Sequence, residues 1–398
     1  MGKINELIQQ YCPDGVEYVN VGDVCDIHKG VQFNKSDMKE MGSYPVMNGG
    51  INPSGYAEVF NEDENTITIS QGGASAGYVN FLDSKFWLGA HCYALKPYSV
   101  VMNRYLYHYI KQSEITLQQC QYGAGIPALA KSTISSLEIP LPPLPVQEAI
   151  VNILDRFAVY AAELQAELQA RQQQYNYYRD TLLSFEGRED VQWKKLGELC
   201  PLITKQTGFD YSNYIKDKLV REKKENHIPY IQTKFFTGRQ FDFNTDYYIP
   251  EETAARFPKI VLDTKCILLS IVGASIGNIG LYDNSQKSFL GGAIGVAKPS
   301  ADVNTEFIYY YLTSHSGQKQ IFHKVKGAGQ ATITIEDIRE FLVPQPSLSE
   351  QQRIVDILDR FDTLVNDLSQ GLPAEIEARQ QQYEYYRDQL LTFKRKEA

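Results

Sequence analysis

Two stretches of the chain carry a long, regular alternation of apolar and polar positions. In the first, Ile150, Leu154, Phe157, Ala161, Leu164, Leu168, Tyr175, Tyr178, Leu182 and Phe185 recur at steps of four and three, with Arg171 in one slot. A seam of that period kept up over about five heptads predicts a long helix whose apolar stripe is covered by a partner helix. In the second, Ile354, Leu358, Phe361, Val365, Leu368, Leu372, Ile376, Tyr383, Tyr386, Leu390 and Phe393 do the same, with Arg379 in the matching slot. Ser347-Leu-Ser-Glu350 has the spacing of a capping box at the start of that second helix. Some 37 residues at 1.5 Å each span roughly 55 Å. The simplest cover for two such stripes is each other, in antiparallel pairing.

The two stretches are copies. Ile153-Leu-Asp-Arg-Phe157 returns 204 residues later as Ile357-Leu-Asp-Arg-Phe361. Ala170-Arg-Gln-Gln-Gln-Tyr-Asn-Tyr-Tyr-Arg-Asp180 returns as Ala378-Arg-Gln-Gln-Gln-Tyr-Glu-Tyr-Tyr-Arg-Asp388, at an offset of 208 and with ten of eleven positions identical. The change of offset is a four-residue insertion around Gly371-Leu-Pro373, which interrupts the heptads and predicts a kink or a restarted helix. Weaker echoes lie between the copies: Ile69–Gly77 with Leu269–Gly277, Ala94-Leu-Lys-Pro97 with Val296-Ala-Lys-Pro299, and Gly123-Ala-Gly125 with Gly327-Ala-Gly329. The chain is written twice, so a variable segment (1–146), a constant helix (147–186), a second variable segment (187–346) and a second constant helix (347–398) follow one another.

In the variable segments the pattern is of short strands, Thr66–Ser70, Cys266–Val272 and Gly295–Lys298 among them, separated by glycine- and asparagine-rich turns. A tyrosine-rich helix follows in each, over Asn103–Gln112 and Thr305–Ser314. The expected fold class is α+β: two globular α+β domains joined by two long antiparallel coiled-coil helices, with an internal pseudo-two-fold repeat.

Composition changes this picture little. At 398 residues the chain suits two domains, and 43% hydrophobic with 22% charged residues is ordinary for a folded protein. No apolar run approaches the ~20 residues of a membrane span, and no secretory pattern opens the chain. The six cysteines are scattered without a C-x-x-C pair, as expected of reduced thiols in a cytoplasmic protein, and structural zinc is not expected. The net charge of −9 is unevenly spread: residues 1–146 carry 9 basic and 14 acidic side chains, residues 187–346 carry 20 and 18. No segment is a basic tail, so a nucleic-acid partner would have to be met by local clusters or with help from a more basic subunit.

Catalytic motifs are not written in either half. Gly72-Gly73 and Gly273–Gly277 are the only glycine clusters that could cradle a methyl-donor cofactor, and both read better as tight turns. A Walker A lysine motif is absent, and the six histidines show neither metal spacing nor a matched carboxylate pattern.

Two variable domains alternating with near-identical helices that carry Ala-Arg-Gln-Gln-Gln-Tyr-x-Tyr-Tyr-Arg-Asp closely resemble the specificity (S) subunit of type I restriction–modification systems. Cys12-Pro-Asp-Gly-Val-Glu-Tyr18, Pro45-Val-Met-Asn-Gly-Gly50 and Gly371–Arg379 carry the same resemblance, which covers essentially the whole chain. It implies target recognition domain 1 over 1–146 and target recognition domain 2 over 187–346, each reading one half of a bipartite double-stranded DNA site. It implies that the helices act as a spacer ruler and as the platform for two modification (methyltransferase) subunits, which hold the methyl donor. It further implies that restriction (translocase and nuclease) subunits join that assembly, and that the chain itself performs no chemistry and needs no cofactor.

Base readers must be polar, exposed and on loops. In the first domain the candidates are Gln32, Asn34, Lys35, Asn48, Asn52, Gln71, Gln121 and Tyr122. In the second they are Lys205, Gln206, Thr207, Gln232, Lys234, Arg239, Gln240, Lys326 and Gln330. Each can equally be a solvated loop residue, and for Asn48, beside two glycines, a turn-forming role is favoured. Arg171 and Arg379 are expected to make helix–helix hydrogen bonds rather than phosphate contacts. Three other functions stay open at this point. One is the specificity chain of a type IIB-like modification enzyme, one a coiled-coil scaffold whose end domains bind protein or carbohydrate, and one a self-sufficient methyltransferase, which the missing cofactor loop disfavours.

Overall fold

The computed structural model describes residues 2–397 apart from 124, 284, 328–330 and 368. Leu368 of the second seam, Gln330 and most of the second Gly-Ala-Gly therefore lie outside the described residues. The chain divides into two compact units, residues 1–166 with 375–398 and residues 167–374. Each unit thus takes one variable segment, part of the first constant helix and part of the second.

The first unit is built on a four-stranded antiparallel sheet in the order Cys25–Lys29, Cys92–Pro97, Thr66–Ser70, Val79–Leu82. Thr66–Ser70 is Thr-Ile-Thr-Ile-Ser, β-branched on both faces and buried throughout, as an inner strand requires. A smaller sheet sets Tyr44–Met47 between Tyr56–Ala57 and Trp87–Leu88, the last pairing being parallel. Tyr18–Asn20 pairs with Glu138–Pro140 where the chain enters and leaves the domain. The helix Asn103–Gln112 buries Tyr105, Leu106, His108 and Ile110.

The second unit repeats this plan. Its main sheet runs Leu202–Lys205, Ile294–Lys298, Cys266–Ser270, Ile279–Tyr282. Its second sheet runs Tyr248–Pro250, His227–Ile231, Ser288–Leu290, Val261–Leu262, again with one parallel pair. Gln192–Lys195 pairs with Leu342–Gln345, the counterpart of the entry–exit ribbon. A short hairpin, Phe236–Thr237 with Gln240–Phe241, is added in this unit. The tyrosine-rich helix is Thr305–Thr313.

The constant segments are helical as their periods predict. The first is one helix of 39 residues, Leu144–Leu182. The second is a restarted helix: Leu348–Asn366, then Leu372–Leu390. At the break Gly371 donates its N–H to the Asp367 carbonyl at 3.0 Å. A Cβ at Gly371 would come within 2.5 Å of the Thr363 carbonyl oxygen and 2.8 Å of those of Asp367 and Leu364, so only glycine fits. The Asp367 carboxylate accepts from the Ser369 and Gln370 N–H groups at 2.7 and 3.1 Å and holds the turn. Ser347 caps the helix start through the Glu350 N–H at 3.3 Å. Glu350 does not complete the capping box; its carboxylate takes Arg353 at 2.7 and 2.8 Å.

Within each unit the helices pair antiparallel. In the first, Phe157 stacks on Tyr386 with ring centres 5.5 Å apart, while three residues on Tyr160 donates to Glu375 at 3.1 Å. In the second, Tyr178 stacks on Phe361 at 5.4 Å, and Tyr175 shares a core with Val365. The two stacks are one arrangement repeated, since Phe157 and Phe361 hold the same place in the repeat, as do Tyr178 and Tyr386. One expectation is corrected. Arg171 bonds Gln174 and Glu167 at 3.0 and 3.4 Å, and Arg379 bonds Gln382 and Glu375 at 3.0 and 3.5 Å, so both guanidinium groups bond within their own helix rather than across to another.

Candidate nucleic-acid interface

Each unit gathers several loops around the ends of its sheets. In the first, the Asn48 side-chain oxygen accepts from the His91 N–H at 3.3 Å, and the His91 carbonyl accepts from the Gln71 N–H at 2.9 Å. The Gln71 carbonyl takes the Leu129 N–H at 2.7 Å, and Tyr122 and Ala128 exchange backbone bonds at 2.9 Å. The Gln121 amide donates to the Ala76 carbonyl at 2.6 Å. Loops around 48–50, 71–77, 89–91 and 121–129 thus converge, bringing Asn48, Gln71, Gln121 and Tyr122 together. Gly73 and Gly77 turn the second loop at positive φ, and Gly273 and Gly277 do so in the repeat, so both glycine clusters are turns. The Tyr122 ring is 57% exposed, and the Gln71 side-chain oxygen is buried without a partner among the described residues.

Gln32, Asn34, Lys35 and Asn52 are exposed, and their side chains make no hydrogen bond to that cluster among the described residues. Gln32 bonds the neighbouring Phe33 carbonyl at 3.0 Å, and Asn34 bonds Asp37 at 3.3 Å.

The second unit assembles its loops in the same way. Gly291 donates to the Ile231 carbonyl at 2.8 Å, Ile271 to that of Ala293 at 3.0 Å, and Lys326 exchanges backbone bonds with Thr332 at 2.9 Å. Gln206 donates to the Leu290 carbonyl at 2.6 Å and the Tyr230 hydroxyl at 3.2 Å. Gln206, Gln232 and Lys326 are therefore brought together, with Lys205 and Thr207 beside Gln206. The Gln232 side-chain oxygen, like that of Gln71, is buried without a partner among the described residues. The Lys326 ammonium pairs with Asp337 at 3.1 Å and that of Lys234 with Asp246 at 2.6 Å. Arg239 and Gln240 sit on the added hairpin and face the constant helix, bonding Asp359 at 2.7 Å and the Asn366 carbonyl. Gln330 lies outside the described residues.

His91 joins the first cluster although no periodicity marks it; its only signal is a place between two strands, just after Gly89. Among the described residues no group of His, Cys, Asp and Glu could hold a metal ion, and no helix is long and apolar enough to cross a membrane. All six cysteines are free, five of them buried, and burial pushes the Cys25, Cys92, Cys200 and Cys266 thiols up to about 12.

The repeated Ile-Leu-Asp-Arg-Phe motif sets each recognition domain on its helix. Asp155 accepts from Arg104 at 2.5 Å and from His108 at 2.8 Å, and His108 meets the Tyr383 hydroxyl at 3.3 Å. Partial burial raises the Asp155 carboxyl, but the bonds from His108 and Arg104 outweigh it and bring it down to about 2. Burial lowers the His108 imidazole, against the upward pull of Asp155. Asp359 accepts instead from Arg239 and from the Tyr310 hydroxyl, each at 2.7 Å.

Comparison with known proteins decides what this twice-built frame is. The model of the type I restriction modification DNA specificity domain matches twice, over residues 13–171 and 188–378. The chain belongs to the type I restriction modification DNA specificity family. Its function is DNA sequence recognition within such a system. The specificity chain is 38% identical over 276 residues to the EcoR124I/EcoR124II specificity subunit of Escherichia coli, a match covering 67% of this chain and 66% of that one. With the MjaVIII specificity subunit of Methanocaldococcus jannaschii it shares 25% over 381 residues, covering 89% of this chain and 87% of the relative. The crystal structure of an S subunit from M. genitalium has the same fold, with a TM-score of 0.62 at 20% identity over 95% of this chain and 96% of that one. A chain from a structural study of assembly and conformational transition in a type I system aligns with a TM-score of 0.56 at 16% identity, covering 95% and 98%.

Proposed function

We propose that this specificity chain is the non-catalytic subunit that selects a bipartite DNA site, each recognition domain reading one half. The single observation that carries this is the repeated loop cluster: the same backbone bonds recur in both units, but the side chains they present differ. Asn48, Gln71 and Tyr122 stand in one; Gln232 and Lys326 stand in the other, where the place of Gln71 is taken by the buried Ile271. A shared frame with exchanged polar tips is what two readers of different base sequences need, because bases are told apart by donor and acceptor patterns at groove edges. The domains are residues 1–146 and 187–346.

The constant helices carry the other two tasks, setting the spacer and docking two modification subunits that hold the methyl donor and methylate DNA. Tyr177 and Tyr385 hold the same place in the repeat and remain 67% and 61% exposed, as an aromatic docking surface requires. Restriction subunits join through that assembly, in the cytoplasm. The chain needs no cofactor of its own.

Methylome sequencing of a host that expresses the chain with its modification subunit tests the proposal. A two-part methylated motif is expected, and exchange of residues 190–346 for another such domain should alter one part only. Simultaneous change of both parts would refute the one-domain, one-half assignment. Equilibrium dialysis of the chain alone against S-adenosylmethionine should show no tight binding; a tight complex would revive a self-sufficient methyltransferase.

A further inference from the structure

The second recognition domain holds a cleft of about 290 Å³ lined by Thr204, Lys205, Thr207, Gly208, Phe209, Arg256, Phe257, Pro258, Lys259 and Ile260. Three cations border it and no carboxylate does. Several basic side chains of this unit have acidic partners, Lys195 with Glu340, Lys265 with Glu306, Lys287 with Glu251 and Lys298 with Asp263, while others such as Lys216, Lys218, Arg221, Lys223 and Lys224 have none among the described residues. What sets this cleft apart is that three cations share one concavity. Among the described residues Lys205, Arg256 and Lys259 form no ion pair.

The cleft is also shaped in advance. Phe209 and Phe257 pack with ring centres 4.4 Å apart, and the Arg256 guanidinium lies over the Tyr214 ring at 5.3 Å. That stacking restrains a long side chain without neutralising it. Gly208 has φ +81° and open space where a Cβ would be, so backbone can approach a ligand there. Lys205 leads directly into Gln206, which is bonded into the loop cluster, so the cleft adjoins the proposed reading surface.

We propose that this cleft binds a phosphodiester group of the DNA backbone, with Arg256, Lys259 and Lys205 supplying the charge. It rests on the reading of this domain as a DNA reader. Like charges brought together around a concavity repel one another, and an anion placed among them relieves that repulsion. A backbone contact positions the duplex without selecting a sequence. The second segment carries 20 basic against 18 acidic side chains where the first carries 9 against 14, so the chain's cations are concentrated in the domain that holds this cleft.

The test uses the full chain in complex with its modification subunit and duplex DNA bearing the methylated motif. Affinity is measured by fluorescence anisotropy across a salt series for the parent and for the double variant Arg256→Gln with Lys259→Gln. For every phosphate that the protein no longer neutralises, the slope of log K against log salt should flatten by about 0.9. The double variant, which gives up the one phosphate held in the cleft, should therefore flatten it by about 0.9, weaken cognate and unrelated duplexes alike, and methylate an unchanged motif. Arg256→Lys, which keeps the charge, should retain the parental slope, and continued methylation of the motif by the double variant itself excludes a folding defect. An unchanged slope in the double variant would overturn the clamp, and an altered motif would overturn it in favour of base reading. Calorimetry with inorganic phosphate at constant ionic strength separates a free anion from DNA: micromolar binding that the double variant abolishes would assign the cleft to a small anion instead. Failure of the parental complex to bind DNA at all would refute the DNA-reading proposal itself, an outcome distinct from failure of the clamp.

Discussion

Asp155 and Asp359 occupy the same position in the repeat and do the same job with different partners. Asp155 takes Arg104 and His108, both from the tyrosine-rich helix of its domain. Asp359 takes Tyr310 from the corresponding helix, but its cation is Arg239, from the hairpin that only the second unit possesses. The helix motif specifies where a recognition domain is held, and each domain finds its own donors for that carboxylate. A repeated acceptor tolerates varied donors because a carboxylate offers about four lone-pair directions and constrains its partners loosely. The difference has a chemical consequence: the first anchor contains an imidazole, which burial pulls below its ordinary range, and the second contains none.

The strongest test of equivalence is in the core beneath the two anchors. Leu154 and Leu358 are both fully buried one turn from the aromatic stack. Replacing either by Ala should cost about 2–5 kcal/mol, loss of transfer energy plus a residual cavity. Urea unfolding followed by hydrogen exchange in each unit measures it, and unequal losses would show that the repeat is packed differently in its two copies. Next in size is the anchor itself. Asp155→Ala and Asp359→Ala each remove charge-assisted hydrogen bonds worth roughly 1–3 kcal/mol, the lower end being apt because both carboxylates are partly exposed to solvent. Hydrogen exchange should rise in Asn103–Gln112 for the first variant and in Thr305–Thr313 for the second. Crossed effects would break the comparison.

Acid should separate the two anchors. His108 has a folded pKa below its ordinary 6.5 because burial disfavours the imidazolium. Its contribution is complete above 6.5; as pH falls through that value the unfolded chain binds the proton first, so the first unit weakens between pH 7 and 5. Asp155, depressed from 3.8 to about 2, adds stability present above 3.8 and lost only as pH falls toward 2. Hydrogen exchange at pH 7 and pH 5, corrected for the intrinsic rate, should show the first unit losing protection that a His108→Gln variant does not lose. Equal losses in both units would dismiss His108 as the cause. The smallest effect is expected at Arg171 and Arg379, whose hydrogen bonds stay within one helix and whose side chains are 43% and 41% exposed; Ala at either should change stability by about 0.5 kcal/mol or less.

The helices were legible because their signal is local. Heptad spacing, the Ser347 cap and the Gly371 break are each set by neighbours a turn or two apart, and each takes the predicted place. The tyrosine-rich helices and the central strands were legible for the same reason, with ends within a residue or two of those expected. The candidate readers fared differently. Polar type and loop position fit Asn48 and Gln71, which join the loop cluster, and equally fit Arg239 and Gln240, which turn to the constant helix. Nothing local distinguishes them, because the partner of Arg239 lies 120 residues away. The same holds for Arg171 and Arg379, where the heptad slot suggested a partner across the seam and the i+3 and i−4 neighbours on the same helix were nearer.

Sequence alone determined the doubling of the chain, the class of its elements and the family resemblance, since repetition and periodicity are properties of residue order. Tertiary structure decided which loops of each domain converge, which cations are neutralised and which remain free around the Lys205–Arg256–Lys259 cleft. Those outcomes depend on approaches between residues tens to hundreds of positions apart, and no pattern along the chain encodes the distance at which two such side chains finally meet.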